Sequence, residues 1–327
     1  MERYEPHILQ IIAMASNKKQ PLELITVLGP TATGKTALAV QLANLLDGEI
    51  ISADSRQIYR GMNIGTGKDL EDYKIGGKII PYHLIDILDP RENFNVCRFQ
   101  NEFELASTDI HARHKLPILC GGTGLYLDSV LLNYKFEPIE ANAELRDKLE
   151  SKSKDELASE LQALDSKLYE NWNKDTKRRI IRGIELAMKN GNPETNSTPK
   201  DLSKTCILGV QYPREIIRER ITTRLKFRLE NGMIEEVEGL IKNGLPKDRL
   251  NYFGLEYKFI SQFLDDALTK NELFELLNIA IHQFAKRQSS WFRRMEKRGV
   301  NIHWVEEGKW ESALQIVEPY LILKENE

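Results

Sequence analysis

Cysteine is scarce and unpatterned: three in 327 residues, Cys97, Cys120 and Cys206, widely spaced and without a C-x-x-C pair. That excludes a disulfide framework and a zinc module and points to a reducing compartment, the cytoplasm. Long apolar runs are missing as well. No stretch approaches the roughly 18 apolar residues of a membrane span, so no membrane partner is expected. Ile8–Ala15 ends in an Ala-x-Ala arrangement like a signal-peptidase site. Glu2 and Glu5 spoil the basic leader that export needs, however, and Gln10 interrupts the apolar run. Pro6–Ala15 is read instead as an extra short helix. Excess charge of one sign is absent too. A net charge of -3 gives no global sign of a nucleic-acid binder and leaves any such role to local basic surface. Repeats and low-complexity tracts are also lacking, and the length suits one large domain or two modest ones.

What is present is a phosphate loop. GPTATGKT, Gly29–Thr36, fits G-x-x-x-x-G-K-[ST] at every fixed position. The apolar run Leu24–Leu28 before it reads as a buried strand, and Lys35–Leu46 after it carries apolar residues at helical spacing. Gly29 and Gly34 let the backbone curl so that successive N–H groups point inward. Lys35 supplies an ammonium, and Thr36 offers a hydroxyl to a magnesium ion at the helix N-terminus. The plain alternative is a glycine turn between a core strand and a core helix. The loop names a polyphosphate ligand and no reaction, since kinases, nucleotide hydrolases and enzymes that hold a diphosphate leaving group all use it.

Further apolar runs, Glu49–Ala53, Tyr82–Leu88, Pro117–Cys120 and Thr205–Val210, alternate with helical patterns at Asn95–His114 and Leu125–Leu132. This predicts an α/β fold: a parallel sheet with helices on both faces and the phosphate loop after its first strand. From about Tyr134 to Lys204 the alternation stops. Ala143–Leu164 and Asp165–Lys189 predict an all-helical insertion, and the turn-rich Asn190–Pro199 returns the chain to the sheet. Long helices at Arg214–Asn231 and Asn271–Arg298, a short run Ile302–Val305 and an amphipathic helix follow. The expected organisation is an extension (1–20), a core in two parts (21–133 and 205–327) and the insertion (134–204).

Asp54 follows the second strand, at the edge where α/β ligands sit, and could be a metal ligand, a general base or a helix cap. If a helix starts there, Gln57 shares its face, and an amide beside a carboxylate suits reading a base edge. Asp86 and Asp89 close the third strand, and Asp86 follows Leu84-Ile85 as a magnesium-holding aspartate would, though a turn explains both as well. Thr123, in the turn Gly121–Gly124, could reach the same cleft. Lys177–Arg182 and Lys286–Arg294 are basic, the second with Trp291 and Phe292 interleaved, which suits a phosphate backbone with unstacked bases or, equally, a solvated helix face. Arg220 and Arg224, four apart, could clamp an anion.

In combination the chain resembles the tRNA dimethylallyltransferases, also called tRNA isopentenyltransferases, of bacterial type. The carriers are GPTATGKT (29–36), DSRQIYRGMNIGT (54–66), HLIDILDP (83–90), GGTGLY (121–126), RRIIRGIE (178–185) and AKRQSSWFR (285–293). The resemblance implies transfer of a dimethylallyl group from its diphosphate to N6 of the adenosine immediately 3′ of a tRNA anticodon, by a monomer using Mg2+. It implies diphosphate binding by Gly29, Thr31, Ala32, Thr33, Gly34, Lys35, Thr36 and Arg224, with the metal on Thr36. Asp54 would be the base and Thr123 its assistant. The anticodon stem-loop would be held by Asp54, Ser55, Arg56, Gln57, Arg178, Arg179, Arg182, Lys286, Arg287, Gln288, Trp291 and Arg293. Asn251–Lys258 departs from the family's shorter glycine–tyrosine–basic motif, the zinc finger of some eukaryotic members is absent, and Gly183-Ile184 replaces the usual Ala-Leu. Rival readings are an adenylate isopentenyltransferase acting on AMP, a phosphate-loop small-molecule kinase and a non-catalytic RNA-binding protein.

Overall fold

The computed structural model describes residues 22–134, 142–189 and 201–320. The expected helix Pro6–Ala15 and the turn-rich stretch 190–199 lie outside the described residues. The chain divides into two compact units, Met1–Leu131 with Asp201–Glu327, and Leu132–Lys200.

The larger unit is built on six parallel strands: β1 (Leu24–Leu28), β2 (Gly48–Ser52), β5 (Tyr82–His83), β6 (Leu116–Gly121), β7 (Thr205–Gln211) and β8 (His303–Glu306), in the order β5-β2-β6-β1-β7-β8. A small hairpin, β3 (Lys74–Ile75) and β4 (Lys78–Ile79), stands apart. Every residue of β1 and β2 is buried, as a parallel sheet covered on both faces requires. On one face Ile25, Val27, Ile118, Cys120 and Leu208 pack against Leu38 and Leu42 of the helix Lys35–Leu46 and against Ala313 and Val317 of the helix Trp310–Val317. The helix Val96–Ala112, started by Asn95 accepting from the Arg98 N–H and burying Phe99 and Phe103, packs on β2 and β6. Each fully buried side chain of this size contributes about 1.5–3 kcal/mol relative to exposure. Leu28 pairs with Gly121 and with Gly209, so the loops leaving β1 and β6 emerge side by side.

The strand expected over 82–88 stops at His83. Leu84 (φ 60°) and Asp86 (φ 54°) turn left-handed and break the extended path. The backbone instead pairs with the 57–60 segment: Asp86 N–H donates to Gln57 O at 3.1 Å and Ile87 N–H to Ile58 O at 2.9 Å. The smaller unit contains four helices among its described residues, Ala143–Glu150, Lys154–Leu164, Ser166–Asn171 and Lys177–Met188, so each long helix expected there is broken in two. Ser153, in a capping box with Glu156, restarts the chain after the first break, and Asp165 and Thr176 cap the last two helices. Leu157, Leu161, Ile180 and Ile184 form its core. A Cβ on Gly183 would lie 2.8 Å from the Trp172 indole nitrogen, so the Gly183 departure is a packing exchange that admits Trp172.

Candidate active site

The phosphate loop has the curl its sequence demands. Gly34 (φ 74°) opens the helix Lys35–Leu46 with no side-chain cap, leaving the first amides free for an anion. Ala32 (φ 66°) is also left-handed, a feature its residue type does not signal. Gly29 serves differently from expectation: a Cβ there would lie 2.8 Å from Val210 O of β7, so it is glycine for close approach. Thr33 is buried, and its hydroxyl donates to Pro30 O at 2.9 Å, which fixes the loop from within. Thr31 is held from two sides: its N–H donates to Gln288 Oε1 at 2.9 Å, and its hydroxyl accepts from the Arg224 guanidinium.

Two cations beside this loop are poorly solvated. Burial lowers the Lys35 pKa, and Arg224 adds to the effect, while Cys120 and Asp54 oppose it. Burial and then Arg228 push Arg224 down to about 10, against the pull of Glu256, Asp69 and Asp54. Burial raises the Cys120 thiol to about 11, so it stays protonated and inert despite the Thr36 hydroxyl beside it. Half-buried cations held below their ordinary pKa are what a bound polyanion relieves. Arg220 does not join Arg224: it is exposed and lies 4.0 Å over the Tyr212 ring. Arg228, one turn after Arg224, shares its face and reaches Asp69 at 3.1 Å. Its spacing from Arg224 equals that of Arg220, so the sequence could have nominated either.

No helix follows Asp54. Its Oδ1 accepts from Arg56 N–H at 2.9 Å in a turn, so the cap reading fails and Gln57 does not share a helical face with it. Gln57 instead accepts from the Ser52 hydroxyl at 3.1 Å and donates to Gly67 O at 3.2 Å. Thr123 does reach the cleft: its Oγ1 accepts from Ser55 N–H at 3.1 Å, and its own N–H donates to Ala53 O at 3.2 Å. The Asp54 carboxylate lies close enough to Lys35 and Arg224 to oppose the lowering of both. Asp86 is committed elsewhere, to the fully buried Lys68 ammonium, which also donates to Tyr59 O at 2.7 Å. Asp89 pairs with Arg91. Neither aspartate is placed to hold magnesium.

Residues with no sequence signal hold the 54–66 loop. Glu236 accepts from the N–H groups of Asn63 and Ile64 at 2.7 Å, from that of Gly65 at 3.0 Å and from Tyr257 OH at 2.7 Å. Tyr252 O accepts from Arg56, and Tyr252 OH donates to Phe94 O at 2.7 Å. The unusual Asn251–Lys258 segment is thus a clamp on that loop. Among the described residues no group of three or more His, Cys, Asp or Glu could hold a metal. The open amides at Gly34 and the hydroxyl of Thr36 fit magnesium's habit of using one or two protein groups and binding mainly through phosphate and water.

The basic segments divide. On the helix Lys270–Lys297, Lys286, Arg287 and Arg293 are exposed, whereas Gln288 is buried and Trp291 half-buried, turned toward the core instead of outward to bases. In the smaller unit Arg178 is exposed and Arg179 pairs with Asp175 at 3.0 Å. Arg182 donates to Glu185 at 3.0 Å. Burial pushes Glu185 up, but its bonds to Arg146 and Arg182 outweigh this and hold its carboxyl below the ordinary value. Arg182→Ala should therefore destabilise this unit by about 1–3 kcal/mol near neutral pH. The loss should shrink as pH falls through the lowered carboxyl pKa, because a depressed acid stabilises only while ionised. Denaturant melts from pH 3 to 8 check this.

The profile of the family described as IPP transferase matches residues 57–295, and that described as isopentenyl transferase matches residues 22–77. The chain is 53% identical over 292 residues to tRNA dimethylallyltransferase 1 of Azobacteroides pseudotrichonymphae, covering 88% of this chain and 94% of the relative. It is 51% identical over 286 residues to tRNA dimethylallyltransferase 2 of Phocaeicola vulgatus, covering 87% and 92%. Among solved structures it is similar to the tRNA isopentenylpyrophosphate transferase of Bacillus halodurans, with TM-score 0.65, 32% identity and coverage of 93% and 95%. It is also similar to a eukaryotic dimethylallyltransferase acting on tRNA, with TM-score 0.74, 25% identity and coverage of 91% and 76%.

Proposed function

This chain belongs to the IPP transferase family, and we propose that it transfers a dimethylallyl group from dimethylallyl diphosphate to N6 of the adenosine immediately 3′ of a tRNA anticodon. The observation that carries the reading is the pair of desolvated cations, Lys35 and Arg224, facing an uncapped helix N-terminus with the Asp54 carboxylate close by. The phosphate loop amides, Lys35 and Arg224 hold the diphosphate and oppose the negative charge that grows on it as the allylic carbon–oxygen bond breaks. Thr36 would hold a magnesium ion, which would supply further neutralisation of the leaving group. N6 attacks the allylic carbon, and Asp54 accepts its proton. Thr123 fixes the Asp54 loop through Ser55 N–H. The adenosine must leave the anticodon stack, at a cost of a few kcal/mol that contacts to the stem-loop offset. We assign those contacts to exposed cations, Arg178 and Arg179 of the smaller unit and Lys286, Arg287 and Arg293 of the larger. In this reading the enzyme acts as a cytoplasmic monomer, and none of Cys97, Cys120 and Cys206 forms a disulfide; no helix among the described residues is long and apolar enough to cross a membrane.

Labelled dimethylallyl diphosphate offered to bulk unmodified tRNA, to AMP or to no acceptor, with ATP turnover followed in parallel, tests the assignment. Label should enter tRNA alone and ATP should persist. Label on AMP would favour the adenylate enzyme, and acceptor-dependent ADP formation would favour a kinase. Arg178→Ala should lower the slope of log affinity for tRNA against log salt by up to about 1 unit, with the affinity for dimethylallyl diphosphate unchanged. An unchanged slope would leave Arg178 as solvated surface.

A further inference from the structure

The helix Lys270–Lys297 touches both halves of the site from above the sheet edge. Gln288, 7% exposed, accepts from Thr31 N–H at 2.9 Å and donates to Gly122 O at 2.8 Å, so one side chain bridges the phosphate loop and the Thr123 turn. One turn on, Trp291 Nε1–H donates to Asp128 Oδ2 at 2.7 Å. The indole fills the space a Cβ on Gly124 would occupy, 2.4 Å from the Trp291 Cγ. Asp128 stands on the helix Gly124–Leu131, which the Thr123 turn begins, and is 1% exposed. Its other oxygen, Oδ1, has no hydrogen-bond partner.

Such a group is an expensive way to attach a helix. Leu273, Leu277, Ile281, Phe292 and Met295 already bury the helix Lys270–Lys297, and an apolar ring against an apolar neighbour would fill the space over Gly124 without desolvating a carboxyl. Apolar packing, however, tolerates small rotations and slips that a single directed hydrogen bond does not. We infer that Asp128, acting through Trp291, is a positioning residue for the transfer: it fixes the rotation of the Lys270–Lys297 helix over the Gly121–Gly124 turn. That rotation sets where Gln288 holds the phosphate loop relative to Thr123 and the Asp54 loop. The inference rests on the transferase reading above. Sheet pairing of Leu28 with Gly121 registers the two loops at their base, and this brace registers them at the height where the substrates meet.

Burial pushes the Asp128 carboxyl up to about 6, with the Trp291 bond and the Arg298 and Arg294 charges pulling it back. An acid raised in the folded state disfavours folding when ionised, so Asp128→Asn should be at least as stable as the native protein. Its advantage in Tm should grow as pH rises from the ordinary aspartate value of 3.8 to about 6, level off above that, and vanish at lower pH, where both states are protonated.

The test is single-turnover transfer to tRNA by the native protein, Asp128→Ala, Asp128→Asn, Trp291→Phe and the Asp128→Ala/Trp291→Phe pair, each normalised to its fraction of diphosphate-binding sites. Asp128→Ala and Trp291→Phe should each lower the rate at saturating substrates about tenfold or more, with KM for both substrates within about twofold. The double variant should be no slower than Asp128→Ala, since Asp128→Ala already removes the hydrogen bond that Trp291→Phe removes, together with the 3.9 Å ion pair to Arg298. Asp128→Asn keeps an oxygen acceptor for the indole and should recover the rate to within about threefold. Native rates in Trp291→Phe, which preserves the ring volume and so tests the inference even if Asp128→Ala fails to fold, would overturn it. A loss of Tm with unchanged normalised rates would overturn it as well. A native protein that transfers nothing to tRNA would overturn the transferase reading itself.

Discussion

Asp54→Asn should lower turnover about 10²–10⁴-fold while both substrates still bind. The substitution keeps the size of the side chain and its acceptor toward the Arg56 N–H, so the turn after β2 should survive. It removes the only feature an amide cannot supply, a site for the N6 proton. An exocyclic adenine amine is a weak nucleophile whose acidity rises only as the carbon–nitrogen bond forms, so the cost appears in kcat and not in KM. Asp54 also sets a negative charge beside Lys35 and Arg224, so the variant, which removes its repulsion of the diphosphate, should hold dimethylallyl diphosphate no more weakly in the absence of tRNA. Thr123→Ala, which frees Ser55 N–H without touching the carboxylate, should cost less than Asp54→Asn. Near-native turnover in Asp54→Asn, from steady-state kinetics with tRNA and dimethylallyl diphosphate, would remove the base assignment.

Lys35→Met should lower kcat/KM for dimethylallyl diphosphate about 10²–10³-fold and leave tRNA affinity nearly unchanged. The ammonium acts only on the leaving group, whose negative charge grows toward the transition state. The same substitution should make the free protein more stable, because the native side chain is a half-buried cation held below its ordinary pKa by desolvation. The sign follows from linkage. A lysine depressed in the folded state binds protons more weakly folded than unfolded, so its charge opposes folding at neutral pH and the penalty eases as pH rises. Differential scanning calorimetry should accordingly show a higher Tm for Lys35→Met alone and a smaller rise on adding dimethylallyl diphosphate than the native protein shows. A lower Tm, or an undiminished ligand shift, would contradict the assignment of a strained cation awaiting a polyanion.

The parts legible in the sequence are those whose signal is local. Strand, glycine loop and helix at 24–46 carry their pattern in consecutive residues, and Asp54 and Thr123 follow apolar runs that end at the same sheet edge. What could not be read depends on contacts between distant residues. Gln288 and Trp291 look like surface residues of a basic helix, yet packing turns them onto Thr31, Gly122 and Asp128, and nothing in AKRQSSWFR distinguishes inward from outward. The strand expected over 82–88 was convincing by composition. Lys68, 18 residues earlier, takes Asp86 into an ion pair whose ammonium is buried, and the backbone bends left-handed there. Glu236 is one acid among many until three loop amides converge on it.

The most direct measurement of the central claim is where the five-carbon unit goes. Unmodified tRNA is incubated with the native protein, magnesium and dimethylallyl diphosphate, then cut into nucleosides and into defined fragments, and the mass of each is read. A single prenyl group should appear on N6 of the adenosine immediately 3′ of the anticodon, with diphosphate released in equal amount, and at a rate about 10²–10⁴-fold lower with Asp54→Asn. Prenylation at another nucleotide, prenylation of AMP in preference to tRNA, or transfer undiminished by Asp54→Asn would contradict it.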